Sequence, residues 1–144
     1  MFENCSHSPR RSYVVKVLAA AAFFALAALL YFSGCPYGEL STTEGRCAYL
    51  AARGYTADPA SETVREITLP REFDDILEDY NRLQLAAGYD LRAGAGRTCL
   101  ICQYELIDYP GWDGRVIATL YLCRGRVIAG DVHTASIEGF LRAL

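Results

Sequence analysis

"RVIATLYLCRGRVIAGDVH", residues 115–133, decides the fold. Two runs rich in β-branched and apolar residues, 115–123 and 126–133, are separated only by Arg124-Gly125. A two-residue connection is too short for a crossover, so the runs must fold back as an antiparallel hairpin. A third strand-like run, 98–108, reaches the hairpin through "YPGWDG", which predicts a meander. Further upstream, "TVREITL" (63–69) alternates Val64, Ile67 and Leu69 imperfectly with charges and reads as another strand. Pro70 ends it and suits the first turn of a helix.

That helix is the clearest in the chain. In "REFDDILEDYNRLQLAAG" (71–88), Phe73, Ile76, Leu77, Tyr80, Leu83, Gln84 and Ala87 fall at helical spacing. Glu72, Asp74 and Asp75 suit the positive end of its dipole, and Gly88 stops it. Nearer the N-terminus, "STTE" (41–44) has the form of a capping box and predicts a short helix to about Arg53, closed by Gly54. Its apolar face would carry Cys47, Leu50 and Ala51, with Tyr49 at the edge. "SIEGFLRAL" (136–144) predicts a closing helical turn that packs Ile137, Phe140 and Leu141. The order α-β-α-β-β-β implies an α+β domain: a small antiparallel sheet of about four strands, packed with two helices on one face.

Ahead of this domain, residues 17–32 carry no charge. With flanking residues, 13–33 supplies about 31 Å of helix, enough to cross a hydrocarbon core about 30 Å thick. Arg10, Arg11 and Lys16 against the single acid Glu3 give the charge pattern of a cytoplasmic flank. The expected layout is a cytoplasmic tail (1–12), a transmembrane helix (13–33), a linker (34–42) and an extracytoplasmic domain (43–144). Phe32-Ser33-Gly34-Cys35 also resembles a bacterial lipobox, so the alternative is a cleaved lipoprotein lipidated at Cys35. Tyr13, Tyr31 and Phe32 look like interfacial anchors and favour the uncleaved span.

From residue 36 onward the chain has eleven Arg against sixteen Asp and Glu. That surface repels phosphate backbones, so no nucleic-acid partner is expected.

Six cysteines are present. Cys5 would lie inside and stay reduced; Cys47, Cys99, Cys102 and Cys123 would lie outside, where disulfides persist. Cys99-x-x-Cys102 suggests a redox or zinc site, but on a strand an offset of three points the two side chains to opposite faces. A bridge from Cys123 to Cys99 or Cys102 depends on register, and buried cysteines are the plainer reading. Asp131 and His133 share a strand face, which suggests an acid/base pair or weak metal site; one histidine and one carboxylate fall short of the ligand set zinc wants. Asp131 and Thr134 are instead expected to bond nearby backbone. Asp74, Asp75, Glu78 and Asp79 form the solvated side of a helix. Tyr109 and Trp112 in "DYPGWDG" form an aromatic loop that either meets a partner or folds back to cap the core.

The motifs Leu69-Pro70-Arg71-Glu72-Phe73, Tyr80-Asn81, Asp108-Tyr109-Pro110, Gly125-Arg126-Val127-Ile128, Gly130-Asp131 and Gly139-Phe140, in this order and spacing, resemble the bacterial domain of unknown function 4830 family. The resemblance implies a short N-terminal membrane segment followed by a small outer domain, and it implies no activity, substrate or cofactor. The expected function is a non-catalytic binding or interaction module of the bacterial envelope, anchored in the membrane, with a protein or cell-wall partner. No catalytic, metal or cofactor residues are assigned. The alternative from another class is a thiol-redox protein using Cys99 and Cys102.

Overall fold

Five strands form one antiparallel sheet in which sequence neighbours are spatial neighbours, in the order β1-β2-β3-β4-β5. They are β1 (Thr63–Thr68), β2 (Thr98–Glu105), β3 (Val116–Cys123), β4 (Arg126–Thr134) and β5 (Leu141–Ala143). Helix α1 (Thr43–Ala51) precedes β1, and α2 (Asp75–Ala86) lies between β1 and β2. The computed structural model describes residues 39–136 and 138–144. None of the described helices is long and apolar enough to cross a membrane. The expected span 13–33, together with Cys5, Cys35 and Ile137, lies outside the described residues.

The expected hairpin is present. Arg124 and Gly125 take φ values of 54° and 73°, and Cys123 pairs with Arg126 across the turn. Two left-handed residues give the mirror-image turn whose twist matches that of the flanking strands. One step into the hairpin, Tyr121 pairs with Ala129 but Leu122 with Val127, so Ile128 is the extra residue of a bulge.

Both helices start later than the sequence suggests, because a neighbouring side chain makes the better cap. Thr42, not Ser41, caps α1, accepting from the Gly45 N–H at 3.1 Å. Asp74 caps α2, accepting from Leu77 N at 2.9 Å, so Pro70 and Glu72 belong to the connection rather than to the first turn. Gly54 and Gly88 follow the two helices with φ of 85° and 86°, as expected of left-handed terminators.

The helices lie on opposite faces of the sheet, not on one. Strand alternation puts Cys102, Tyr104 and Leu120 on one side, where Tyr49 and Leu50 of α1 and Leu40 pack. Cys99, Tyr121 and Ala129 face the other side, where they meet Leu77 and Tyr80 of α2 and Leu91 of the following 3-10 turn. Each helix also buries a different set of residues from the one its apolar pattern suggests. In α1, Arg46 is buried and Ala51 exposed. In α2, Gln84 is buried as its spacing suggests, but so is Asn81, which lies off that stripe, while Ile76 is 77% exposed.

The closing segment is a strand rather than a helical turn. Leu141–Ala143 pairs with Asp131, Val132 and His133, supplying partners to an outer edge of β4 that would otherwise stay open. Where β5 runs out, the Gln84 side-chain oxygen accepts from Gly130 N at 2.9 Å.

Candidate functional site

The aromatic loop joins a larger set. Tyr55 follows α1, Tyr109 and Trp112 belong to the β2–β3 connection, and Phe140 precedes β5; all four pack against the α1-side core. Ring centroids are 6.3 Å apart for Tyr55 and Tyr109, 5.4 Å for Tyr109 and Phe140, and 5.9 Å for Trp112 and Phe140, the last edge-on. Such pairs contribute about 0.5–1.5 kcal/mol each beyond burial. The Arg142 guanidinium lies 4.5 Å over the Phe140 ring. A Cβ on Gly114 would come within 2.7 Å of Trp112 Nε1, so any larger residue would push the indole from this position.

Trp112 folds back in part. It is half-buried against the core, and it also lines a shallow cleft with Asp113, Arg115 and Ser136. Beside it, Tyr55, Leu106, Ile107, Tyr109 and Arg142 line a cleft of about 340 Å³. This end of the domain presents flat aromatic faces, an arginine and concave space together.

Asp131 and His133 do meet, with Nδ1 2.7 Å from Oδ1. The buried carboxylate also accepts from Tyr80 OH at 2.5 Å, so it bonds side chains rather than the backbone expected from its sequence context. Burial, then the Asp131 charge and hydrogen bond, hold the Tyr80 phenol far above its ordinary value. The set docks α2 on β4, and neither Asp131 nor His133 lines the clefts described here. Thr134 behaves as expected: its hydroxyl accepts from Phe140 N at 3.2 Å.

The register separates Cys99 from Cys102, as their spacing predicts. Cys99 lies in the α2-side cluster and Cys102 in the α1-side cluster. Burial pushes both thiols up, the opposite of what a nucleophilic thiolate requires. Cys47, Cys99, Cys102 and Cys123 are free thiols. Among the described residues, no group of three or more His, Cys, Asp and Glu is placed to hold a metal ion.

No protein-family model, no curated protein and no solved structure matches the chain.

Two arrangements escaped the sequence reading. In the first, Arg46 of α1 is buried against Glu62, at 2.7 Å. Its Nε donates to Tyr104 OH at 2.7 Å and its Nη1 to the Leu40 carbonyl at 3.0 Å. Glu62 also accepts from Tyr104 OH and, at 2.8 Å, from Thr43 Oγ1. A signal was available: Arg46 sits three and four residues before Tyr49 and Leu50, within the buried stripe. In the second, Arg97, Arg124 and Arg126 line a cleft of about 400 Å³ at the hairpin end, a concentration of positive charge on an acidic domain. Asp79 of the acidic helix pairs with Arg82 at 2.9 Å, and Glu78 pairs with Arg92.

Proposed function

We propose that the chain is a single-pass membrane protein of the bacterial envelope. Residues 13–33 cross the bilayer, the N-terminus stays in the cytoplasm, and the 43–144 domain works outside as a non-catalytic interaction module. The observation that carries this reading is the gathering of Tyr55, Tyr109, Trp112 and Phe140 from separate segments beside Arg142 at one end of the sheet. Half-buried aromatics flanked by an arginine are the residue types that dominate binding surfaces. A protein or cell-wall partner would meet this end. The apolar 13–33 stretch and its basic flank support the anchor. The resemblance to the bacterial domain of unknown function 4830 family supports the same plan. The elevated thiols of Cys99 and Cys102, on opposite faces, weigh against a thiol-redox role.

A photoreactive residue at the exposed Asp113, next to Trp112, tests the surface in native membranes. Adducts specific to position 113, absent from a control at exposed Asp79, are expected; their absence would overturn the interface. Protease added to cells with the outer wall opened should digest the domain. Its survival while exposed controls are cut would reverse the orientation. The intact mass separates the uncleaved anchor from a Cys35 lipoprotein, which would lack residues 1–34 and carry acyl chains.

A further inference from the structure

Cys99 and Cys123 lie on neighbouring strands, one step beyond the paired residues Leu100 and Leu122 and on the same side of the sheet. Both are buried in one cluster with Leu69, Leu91, Ile128 and Ala129. Both sulfurs sit beside the start of β2: Cys99 Sγ lies 3.8 Å from the Arg97 carbonyl and Cys123 Sγ 4.0 Å from the Thr98 carbonyl. We propose that Cys99 and Cys123 are the two halves of a specific cross-strand disulfide that ties β2 to β3. Directly opposed residues on antiparallel strands have Cα atoms about 4.5–5.5 Å apart, within the range of about 4.4–6.8 Å that a disulfide spans. The alternatives lack this geometry. Cys102 points to the opposite face, where its strand partners are Leu120 and Val64. Cys47 packs against that same far cluster. One pair among the four described thiols is positioned to close.

The bond forms by exchange with a small-molecule or protein disulfide. The sulfur of one cysteine attacks the donor, releasing a donor thiol and leaving a mixed disulfide. The second cysteine's sulfur then displaces the remaining donor thiol. Two protons and two electrons pass from the pair to the donor, which ends as two thiols. Burial, then the neighbouring Cys123, pushes the Cys99 thiol up to about 12. Exchange on the closed domain is therefore slow, and the bond is made as the chain folds or opens at the hairpin end. Pairing specificity follows from the register and does not depend on the location proposed above, although an extracytoplasmic setting is where such a bond would persist.

The test uses the full chain in detergent, reduced, opened with mild denaturant and refolded in a mixture of oxidised and reduced glutathione. Remaining thiols are then alkylated and the protein is digested without reduction. A cross-link between peptides 98–115 and 116–124, mapped by fragment ions to Cys99, is expected, with Cys47 and Cys102 alkylated. The oxidised form should also unfold at higher denaturant concentration than the reduced one. Cys102→Ala should keep the cross-link and Cys99→Ser should abolish it. A bond mapped to Cys102 or Cys47, a mixture of pairings, or free thiols throughout while a control disulfide forms would each overturn the proposal. The wild-type fragment map decides the matter even if a variant fails to fold.

Discussion

Arg46→Ala should lower the unfolding free energy by about 3–5 kcal/mol, the range for deleting one partner of a buried ion pair. Arg46 is 5% exposed and supplies donors to Glu62, Tyr104 and the Leu40 carbonyl. Its loss leaves a largely buried carboxylate and a buried carbonyl without those donors. A double replacement, Arg46→Met with Glu62→Leu, should cost much less, because no unpaired charge remains. Urea unfolding of both variants measures this; equal losses would mean that packing, not the ion pair, holds α1.

The same network makes a pH prediction. Burial alone would raise the Glu62 carboxyl, but hydrogen bonds from Tyr104, Arg46 and Thr43 outweigh it and hold the group below its usual value. A folded-state value lower than the unfolded one means that the stabilisation is complete above the unfolded value. It then disappears as pH falls through the folded value. Wild-type stability should therefore drop below about pH 4, and Arg46→Ala should flatten that part of the profile. An unchanged acid slope in the variant would show that Glu62 does not report on Arg46.

Leu120→Ala is expected to cost about 2–5 kcal/mol, the range for emptying a close-packed core position. Leu120 is fully buried at the middle of β3, paired with Cys102 on one side and Gly130 on the other. Gly130 opposite carries no side chain of its own, and Leu144 fills the space over it; how far Leu144 shifts sets where in that range the loss falls. For a domain of this size each kcal/mol corresponds to about 4–8 °C in midpoint. A loss under about 1 kcal/mol would mean that the sheet collapses around the gap.

What could be read in advance followed from local chemistry. The two-residue Arg124-Gly125 link forces a hairpin wherever strands flank it, and β1 to β4 were legible from residue type and turn signals. The failures were tertiary. Which face each helix covers depends on how the connection between β1 and β2 crosses the sheet, and no residue in it records the direction. Leu141–Ala143 becomes a strand because β4 has an open edge, a demand invisible within "SIEGFLRAL". In α2, periodicity placed both Ile76 and Gln84 on the inner face; Gln84 is buried there against β4, but Asn81 takes the second buried place because the following 3-10 turn offers it a partner. At the candidate site, Tyr109 and Trp112 were recognisable as an aromatic loop, whereas Tyr55, Phe140 and Arg142 join them only through the fold.

That polar seam under α2 affects how the domain moves. Two directional contacts set the helix on the sheet, Tyr80 to Asp131 and Gln84 to Gly130, and a third, from Leu91 N to Asn81, ties it to the following 3-10 turn. Its apolar grip is slight, since Leu85 as well as Ile76 faces solvent. Hydrogen bonds of this kind position a helix sharply but add little adhesion once water reaches them. Amides of α2 should thus take up deuterium well before those of β3; equal protection in the two would show that the helix and sheet open together.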